Sequence, residues 1–333
     1  MKNTPRRANA IAPIVTTTGL LAFLGAGLAW IAHSRRNIYH NIPMTAALDG
    51  ELRNFETKAG TVAYYVSGSR PISARPSARA MPPMVFIHSI NAAPSSAEMR
   101  PLFEHYALSR RVFAIDLPGF GFSDRRDIPY SPRLYRNVIN QFLGQVVGGP
   151  ADVVALSLSA EFVALAAVAQ PELFRSLIFL SPTGLGRRVP TGELNDVMLR
   201  VLRVPLWRRP LFDLLTSRPS SRLFLGLSQR KTFDRDLSDY AYLTSHQPNA
   251  EYAPLYFLAG KLFTPDIFEV YCALSKPVLL IYGNGPTAQY HRVDELSRRP
   301  NWRIHHLPGC GELVHFDSPD TVIAQIDAFL DRL

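Results

Sequence analysis

At 333 residues the chain is long enough for one large α/β domain or two ordinary ones. Hydrophobic residues make up 47% and charged residues 19%, which excludes a disordered chain and fits a globular protein with some membrane character. The formal charge of +9 comes without any nucleic-acid motif; the arginines are spread along the chain, with some enrichment between Arg187 and Arg230, and attraction to anionic lipid headgroups accounts for them more simply. Cys272 and Cys310 are the two cysteines, so there is neither a disulfide framework nor a metal-ligand spacing, although one bridge between them stays open.

The first element in chain order is apolar. No charged residue occurs over residues 8–32, and residues 19–31 are almost wholly hydrophobic. About 20 apolar residues span a bilayer as a helix. Trp30 stands where an interfacial aromatic belongs, and Lys2, Arg6 and Arg7 on one side and Arg35 and Arg36 on the other flank the run. Residues 1–36 therefore predict a single-pass signal anchor, with a cleaved signal peptide as the alternative. The flanking charges tilt the rest of the chain towards the extracytoplasmic side and leave the question of side open.

Residues 37–57 read as an extended connector. Short, nearly continuous apolar runs then follow at 61–66, 84–87, 111–115, 152–156, 176–180, 277–282 and 302–304, separated by helix-length segments and, once, by a Ser/Pro/Arg-rich loop at 68–83. Such runs predict strands buried on both faces of a mostly parallel sheet. The alternation breaks between Pro182 and Lys276, where helical patterns at 198–207, 211–215 and 252–263 predict a helical subdomain. The expected organisation is a core of residues 58–182 and 277–333 with residues 183–276 as a lid over the strand ends. Leu202, Trp207, Phe224 and Phe257 are candidates for a greasy pocket, or for the lid's own core.

The chemistry concentrates at residues 155–160. A strand ending at Leu156 and an Ala-rich helix over 161–170 place Ser157 on the bend between them, with small neighbours Ala155 and Ser159 two residues to either side. That is the layout of a nucleophile elbow, in which a serine Oγ is raised above the sheet beside the N–H groups of a helix start.

Three further stretches carry a resemblance. They are Phe86-Ile87-His88-Ser89-Ile90-Asn91-Ala92, Asp116-Leu117-Pro118-Gly119-Phe120-Gly121-Phe122-Ser123-Asp124, and Gly309-Cys310-Gly311-Glu312-Leu313-Val314-His315-Phe316-Asp317-Ser318-Pro319. With the elbow, and in this order, they resemble the α/β-hydrolase fold superfamily over roughly residues 50 to 333. The resemblance implies a mostly parallel sheet flanked by helices with a helical lid, and an acyl-enzyme on Ser157.

The same resemblance shows what is altered. Glu312 occupies the usual base position, and His315 falls at a second histidine position that usually serves the structure. The turn that carries the acid in the family reads Gly283-Asn284-Gly285-Pro286, which puts Pro286 at the acid's place, and the other acid position holds Ser181. In the oxyanion loop Ser89 replaces a glycine, and the resemblance implies a hole built from Ser89, Ile90 and Leu158.

Three readings stay open. Ser157 attacks with His315 as base, oriented by Asp317 or Asp294; or Glu312 itself is the base or orients a water; or the domain binds a ligand or partner without catalysis. A serine at its free pKa needs an adjacent base, and a carboxylate serving as that base needs a dry pocket. His88 and Asp116 read as structural, His305 and His306 as strand or edge residues, and His291 as a solvent-facing residue near the acid turn. No dinucleotide or phosphate-loop fingerprint occurs, so neither cofactor nor metal is expected. The expectation is a serine hydrolase acting on an ester or acyl bond of a lipophilic substrate or lipid drawn from a membrane, with no nucleic-acid partner. The alternative is a non-catalytic ligand-binding or scaffold protein.

Overall fold

Eight strands form one sheet in the order β1-β2-β4-β3-β5-β6-β7-β8 in the computed structural model, which describes residues 17–68, 81–186, 192, 194–231, 233–285 and 289–333. The strands are β1 (Glu51–Thr57), β2 (Gly60–Ser67), β3 (Met84–Ile87), β4 (Val112–Ile115), β5 (Ala151–Leu156), β6 (Phe174–Leu180), β7 (Val278–Tyr282) and β8 (Trp302–His306). The β1–β2 and β2–β4 pairs are antiparallel and all others parallel. The apolar runs are buried throughout β3, β4 and β5. Successive side chains of each strand feed opposite layers. Val153, Ala155, Leu177 and Phe179 pack on one face, and Val154, Leu156, Ile178 and Leu180 on the other.

Helices close both faces. The first layer receives α3 (Pro132–Phe142) and α4 (Ser159–Ala169), the second α2 (Arg100–Ala107) and α13 (Pro319–Leu330). Helix α3 starts where Ser131 caps the Leu134 N–H and Pro132 takes a first-turn position that needs no donor. At the lower end of β5, the buried Asp152 carboxylate is shared by Arg110, Arg175 at 2.9 Å and the Ser176 hydroxyl at 2.6 Å. Between β6 and β7 run α5 (Leu194–Leu202), α6 (Arg208–Leu215), α7 (Arg218–Ser228), α8 (Arg235–Ser245), α9 (Tyr252–Leu258) and α10 (Ile267–Cys272). After β7 come α11 (Val293–Ser297), then β8, the short turn α12 (Val314–Asp317) and α13.

The expected connector ends earlier than its sequence suggests, because its last seven residues are β1. This edge strand carries Glu51, Arg53, Asn54 and Glu56, the polar character that keeps an open edge from recruiting other strands, and so it lacks the apolar run of a buried strand. Two candidate pocket residues also fall elsewhere: Phe224 is 57% and Trp207 37% exposed, whereas Phe257 is half-buried and stacks on Phe263 with 5.8 Å between ring centres.

The chain divides into two units, Met1–Ile38 and Tyr39–Leu333. The first contains α1 (Thr17–Asn37), and here the expectation of a membrane anchor is corrected. Among the described residues no helix is long and apolar enough to cross a membrane. Thr17 and Thr18 open α1, and His33, Ser34, Arg35, Arg36 and Asn37 close it. The apolar stretch between them, residues 19–32, rises about 21 Å as a helix, against the ~30 Å of a hydrocarbon core. Residues 1–16 of the expected anchor lie outside the described residues.

Candidate active site

Ser157 stands where β5 gives way to α4. Strand β5 is held on both sides by β3 and β6, and the Ser157 N–H still bonds the Leu180 carbonyl at 2.9 Å. The chain must then leave the sheet within one residue, because the Ala160 N–H already returns to the Ser157 carbonyl at 3.1 Å. It does so with φ of 55° at Ser157, a left-handed conformation that costs a non-glycine residue about 1–2 kcal/mol. The serine is half-buried, and among the described residues its hydroxyl has no hydrogen-bond partner. The N–H groups of Ile90 and Leu158 likewise have no acceptor among the described residues.

Ser89 is not a third donor. Its N–H goes to the Glu98 carboxylate at 2.8 Å and its hydroxyl to the same group at 3.0 Å. The Asn91 amide donates to both Ser89 Oγ and Glu98 at 2.8 Å. Glu98 is buried in the turn Ser96–Met99 and so fixes the loop after β3 from below. His88 is saturated: Nδ1–H donates to the Ser89 carbonyl at 2.6 Å and Nε2 accepts the Leu117 N–H at 2.9 Å. The Ser159 hydroxyl ties the start of α4 to the His88 carbonyl at 2.5 Å. Asp116 takes the Ser96 N–H and hydroxyl, both at 2.8 Å, and the Phe122 N–H at 2.9 Å. Gly121 is required here, since φ is 52° and a Cβ would fall on the Asp116 carboxylate.

The C-terminal side departs from the expectations. His315 is fully buried in α12, its Nε2–H donates to the Glu98 carbonyl at 2.6 Å, and Nδ1 has no partner. Burial lowers its pKa to about 4, so the ring is a neutral donor turned to the Glu98 main chain, with no hydrogen bond to Ser157. Asp317 is occupied elsewhere: it accepts the N–H groups of Gly311 at 2.6 Å, Lys231 at 2.9 Å and Arg230 at 3.1 Å. It makes no hydrogen bond to His315 and acts on it only as a nearby charge. Asp294 is exposed on α11, where its carbonyl accepts the Ser297 hydroxyl at 2.9 Å. His291 is exposed, and His306 bonds Asn284 at 2.8 Å beside the turn after β7. Pro286 lies outside the described residues.

Glu312 is half-buried against that same turn. Gly285 leaves it room, since a Cβ there would fall on the Glu312 side chain. Ser181, at the end of β6, also has a positive φ, 45°, and its hydroxyl is buried without a partner. Beside it lies the buried Tyr290 hydroxyl, close but without hydrogen-bond geometry, and in the field of Glu312. Glu98, Tyr290 and Glu161 were not singled out by sequence. Glu161 lies on α4 one turn beyond Ser157; burial raises its carboxyl to about 7, against bonds from the Thr183 hydroxyl at 2.5 Å and the Thr264 N–H at 2.8 Å. Only Glu161 had a signal, a carboxylate inside an otherwise apolar helix.

Among the described residues no group of His, Cys, Asp and Glu is arranged to hold a metal ion, and both cysteines are free thiols. What the described residues offer is the Ser157 hydroxyl on the bend between β5 and α4, the N–H groups of Ile90 and Leu158 without acceptors, and Glu312 against the turn after β7. Residues 84–325 match the model of the alpha/beta hydrolase family. The chain belongs to that family. This hydrolase is 23% identical over 275 residues to a 2-(acetamidomethylene)succinate hydrolase of Mesorhizobium japonicum, an alignment covering 75% of this chain and 88% of the relative. Its fold is similar to that of a serine hydrolase involved in carbazole degradation, with a TM-score of 0.67 at 16% identity, covering 85% of this chain and all of the other. It is also similar to a meta-cleavage product hydrolase of Pseudomonas fluorescens, with a TM-score of 0.64 at 17% identity over 84% of this chain and 97% of the other.

Proposed function

We propose that this hydrolase cleaves an ester or related acyl bond of a small lipophilic substrate, with Ser157 as nucleophile and Glu312 in the place of the base. The observation that carries the reading is Ser157 itself, held at a φ of 55° between β5 and α4 with an unpartnered hydroxyl. Backbone strain of this kind persists only where the surroundings impose it, and a purely structural serine gains nothing from it. The substrates named for the relatives, 2-(acetamidomethylene)succinate and meta-cleavage products, support a small molecule. The apolar side chains of the helical insertion support a lipophilic one.

In the reaction Ser157 Oγ attacks the acyl carbon and gives up its proton towards Glu312. The carbonyl π electrons move to oxygen, where the Ile90 and Leu158 N–H groups stabilise the charge in a site partly screened from water. Collapse expels the leaving group, which takes the proton back, and water then hydrolyses the acyl-enzyme. A carboxylate is a weaker base than imidazole, so turnover slower than that of a histidine-based enzyme is expected.

The test is covalent labelling of the purified chain by a fluorophosphonate. Labelling that disappears in Ser157→Ala and falls strongly in Glu312→Ala, but survives in folded His315→Ala, supports this assignment of roles. One observation favours the second reading, a non-catalytic binder: His315 is a neutral donor committed to the Glu98 carbonyl. Folded protein that never labels would make that reading the better one.

A further inference from the structure

The helical insertion between β6 and β7 leaves the sheet and returns to it past one buried carboxyl. Glu161 lies in the first turn of α4 and is fully buried there. On the outgoing side the Thr183 hydroxyl donates to its Oε1 at 2.5 Å. On the returning side the Thr264 N–H donates to its Oε2 at 2.8 Å. Both tie points sit beside backbone suited to turning. Gly184, next to Thr183, has a φ of 81°, and a Cβ there would fall on Ile267 at the start of α10. Asp266, two residues beyond Thr264, has a φ of 53° and precedes α10. The Tyr271 hydroxyl of α10 donates to the Thr183 carbonyl at 3.1 Å, so the two ends also hold each other. Element ends of this kind are where a packed segment swings.

What the carboxyl lacks is a cation. Its oxygens meet neutral donors, and the Thr264 side chain faces it as well. Among the described residues the titratable group whose field reaches it is the Tyr271 phenol, which burial keeps protonated. Asp266 and Glu269, on the returning segment and α10, are exposed to solvent. Among the described residues no charged side chain of α3, β6 or α10 is paired with it. A carboxylate buried without a cation is costly, so the proton is held more tightly while Glu161 is covered than when water reaches it. The bonds from Thr183 and Thr264 favour the ionised form, but burial outweighs them and pushes the carboxyl up to about 7.

We propose that Glu161 is a proton-set latch, which holds both ends of the insertion against α4 while protonated and lets them go once ionised. On ionisation the proton passes to water, and the charge left behind gains its hydration only when the two ends part. Because the closed form binds the proton more tightly, opening grows as pH rises from the ordinary 4.5 and levels off above 7. One carboxyl thus governs the outgoing and the returning end together, from the helix that follows Ser157. The latch does not depend on Ser157 being a nucleophile.

The experiment is amide hydrogen exchange of the full chain across this pH range, read by mass spectrometry and divided by the rate of an unstructured peptide at each pH. In peptides covering residues 183–186 and 259–266, the opening so measured is expected to increase about tenfold from pH 6 to pH 8 and to change little above that. Strand β5 should show no such rise. Glu161→Gln, which carries no charge, should give the same opening at both pH values. Thr183→Val removes a donor that favours the ionised form, so its rise should continue to a higher pH before it levels off. Ends that open equally at pH 6 and pH 8 in the natural chain, a rise that persists in Glu161→Gln, or a rise shared by β5 overturns the latch. Should the glutamine variant not fold, a levelling-off that stays in place or moves down in Thr183→Val overturns it as well.

Discussion

The two loops that meet at Ser157 are built in opposite ways. After β3, Ser89, Asn91, Glu98, His88 and Asp116 bond one another and the main chain. On the C-terminal side, Ser181 Oγ, Tyr290 Oη and His315 Nδ1 are all buried without a partner. A buried polar group left unpaired costs about 1–3 kcal/mol, so each of the three weighs against the fold. The contrast teaches where to look for chemistry: the saturated loop is scaffold, and spare hydrogen-bonding capacity marks the side that exchanges protons or holds a ligand.

That contrast can be broken most directly at Glu98. Replacing it by alanine strands the Ser89 N–H, the Ser89 hydroxyl and the Asn91 amide together, and Glu98→Ala is expected to destabilise the chain by about 3 kcal/mol or more in urea unfolding. Glu98→Gln, which keeps an acceptor, should lose less. A loss under 1 kcal/mol for the alanine variant would show that the loop does not depend on this carboxylate.

His315 sharpens the comparison from the other side. Its folded pKa of about 4 lies below the ordinary 6.5, so between these values the unfolded chain binds the extra proton. The stability this group contributes is therefore complete above pH 6.5 and is lost as pH falls towards 4, by at most ~3 kcal/mol. Urea midpoints across that window should fall steeply for the natural chain and less so for His315→Leu. Equal slopes would assign the acid sensitivity to another group.

The smallest effect is expected at Glu161, and its sign is reversed. A folded pKa of about 7 against 4.5 means that the folded chain holds the proton longer. The stabilising contribution is present below pH 4.5 and is lost as pH rises through 7, so Glu161→Gln should be more stable than the natural chain at pH 8, by about 1–2 kcal/mol. A destabilised variant at that pH would mean that the bonds from Thr183 and Thr264 outweigh burial.

Strands buried on both faces were legible because their apolar runs have no other use, and β5 followed at once by α4 made Ser157 legible as well. Edge strand β1 was not, since solvent on one side permits the polar residues that hide it. The helix at the N-terminus was legible as a helix, but not its limit, which depends on where Thr18 and His33 bound the apolar stretch. Within the site, residue type did not reveal direction. His315 looked like a base and turns its donor to a carbonyl more than 200 residues away in sequence. Asp317 looked like an orienting acid and spends its oxygens on the N–H groups of Arg230 and Lys231. Asp294 stood near the right turn and faces solvent on α11. Glu98 carried no mark at all, because its role exists only once the turn Ser96–Met99 closes beneath Ser89.

Two short bonds in series have a mechanical result. Asp317 holds the helical insertion at Arg230 and Lys231, between α7 and α8, and two residues back along α12 His315 holds the Glu98 carbonyl, while the Glu98 side chain holds Ser89. Each bond is between 2.6 and 3.1 Å. The insertion and the loop after β3 are thus both fastened to the one short helix α12, so that neither is an independent appendage of the sheet.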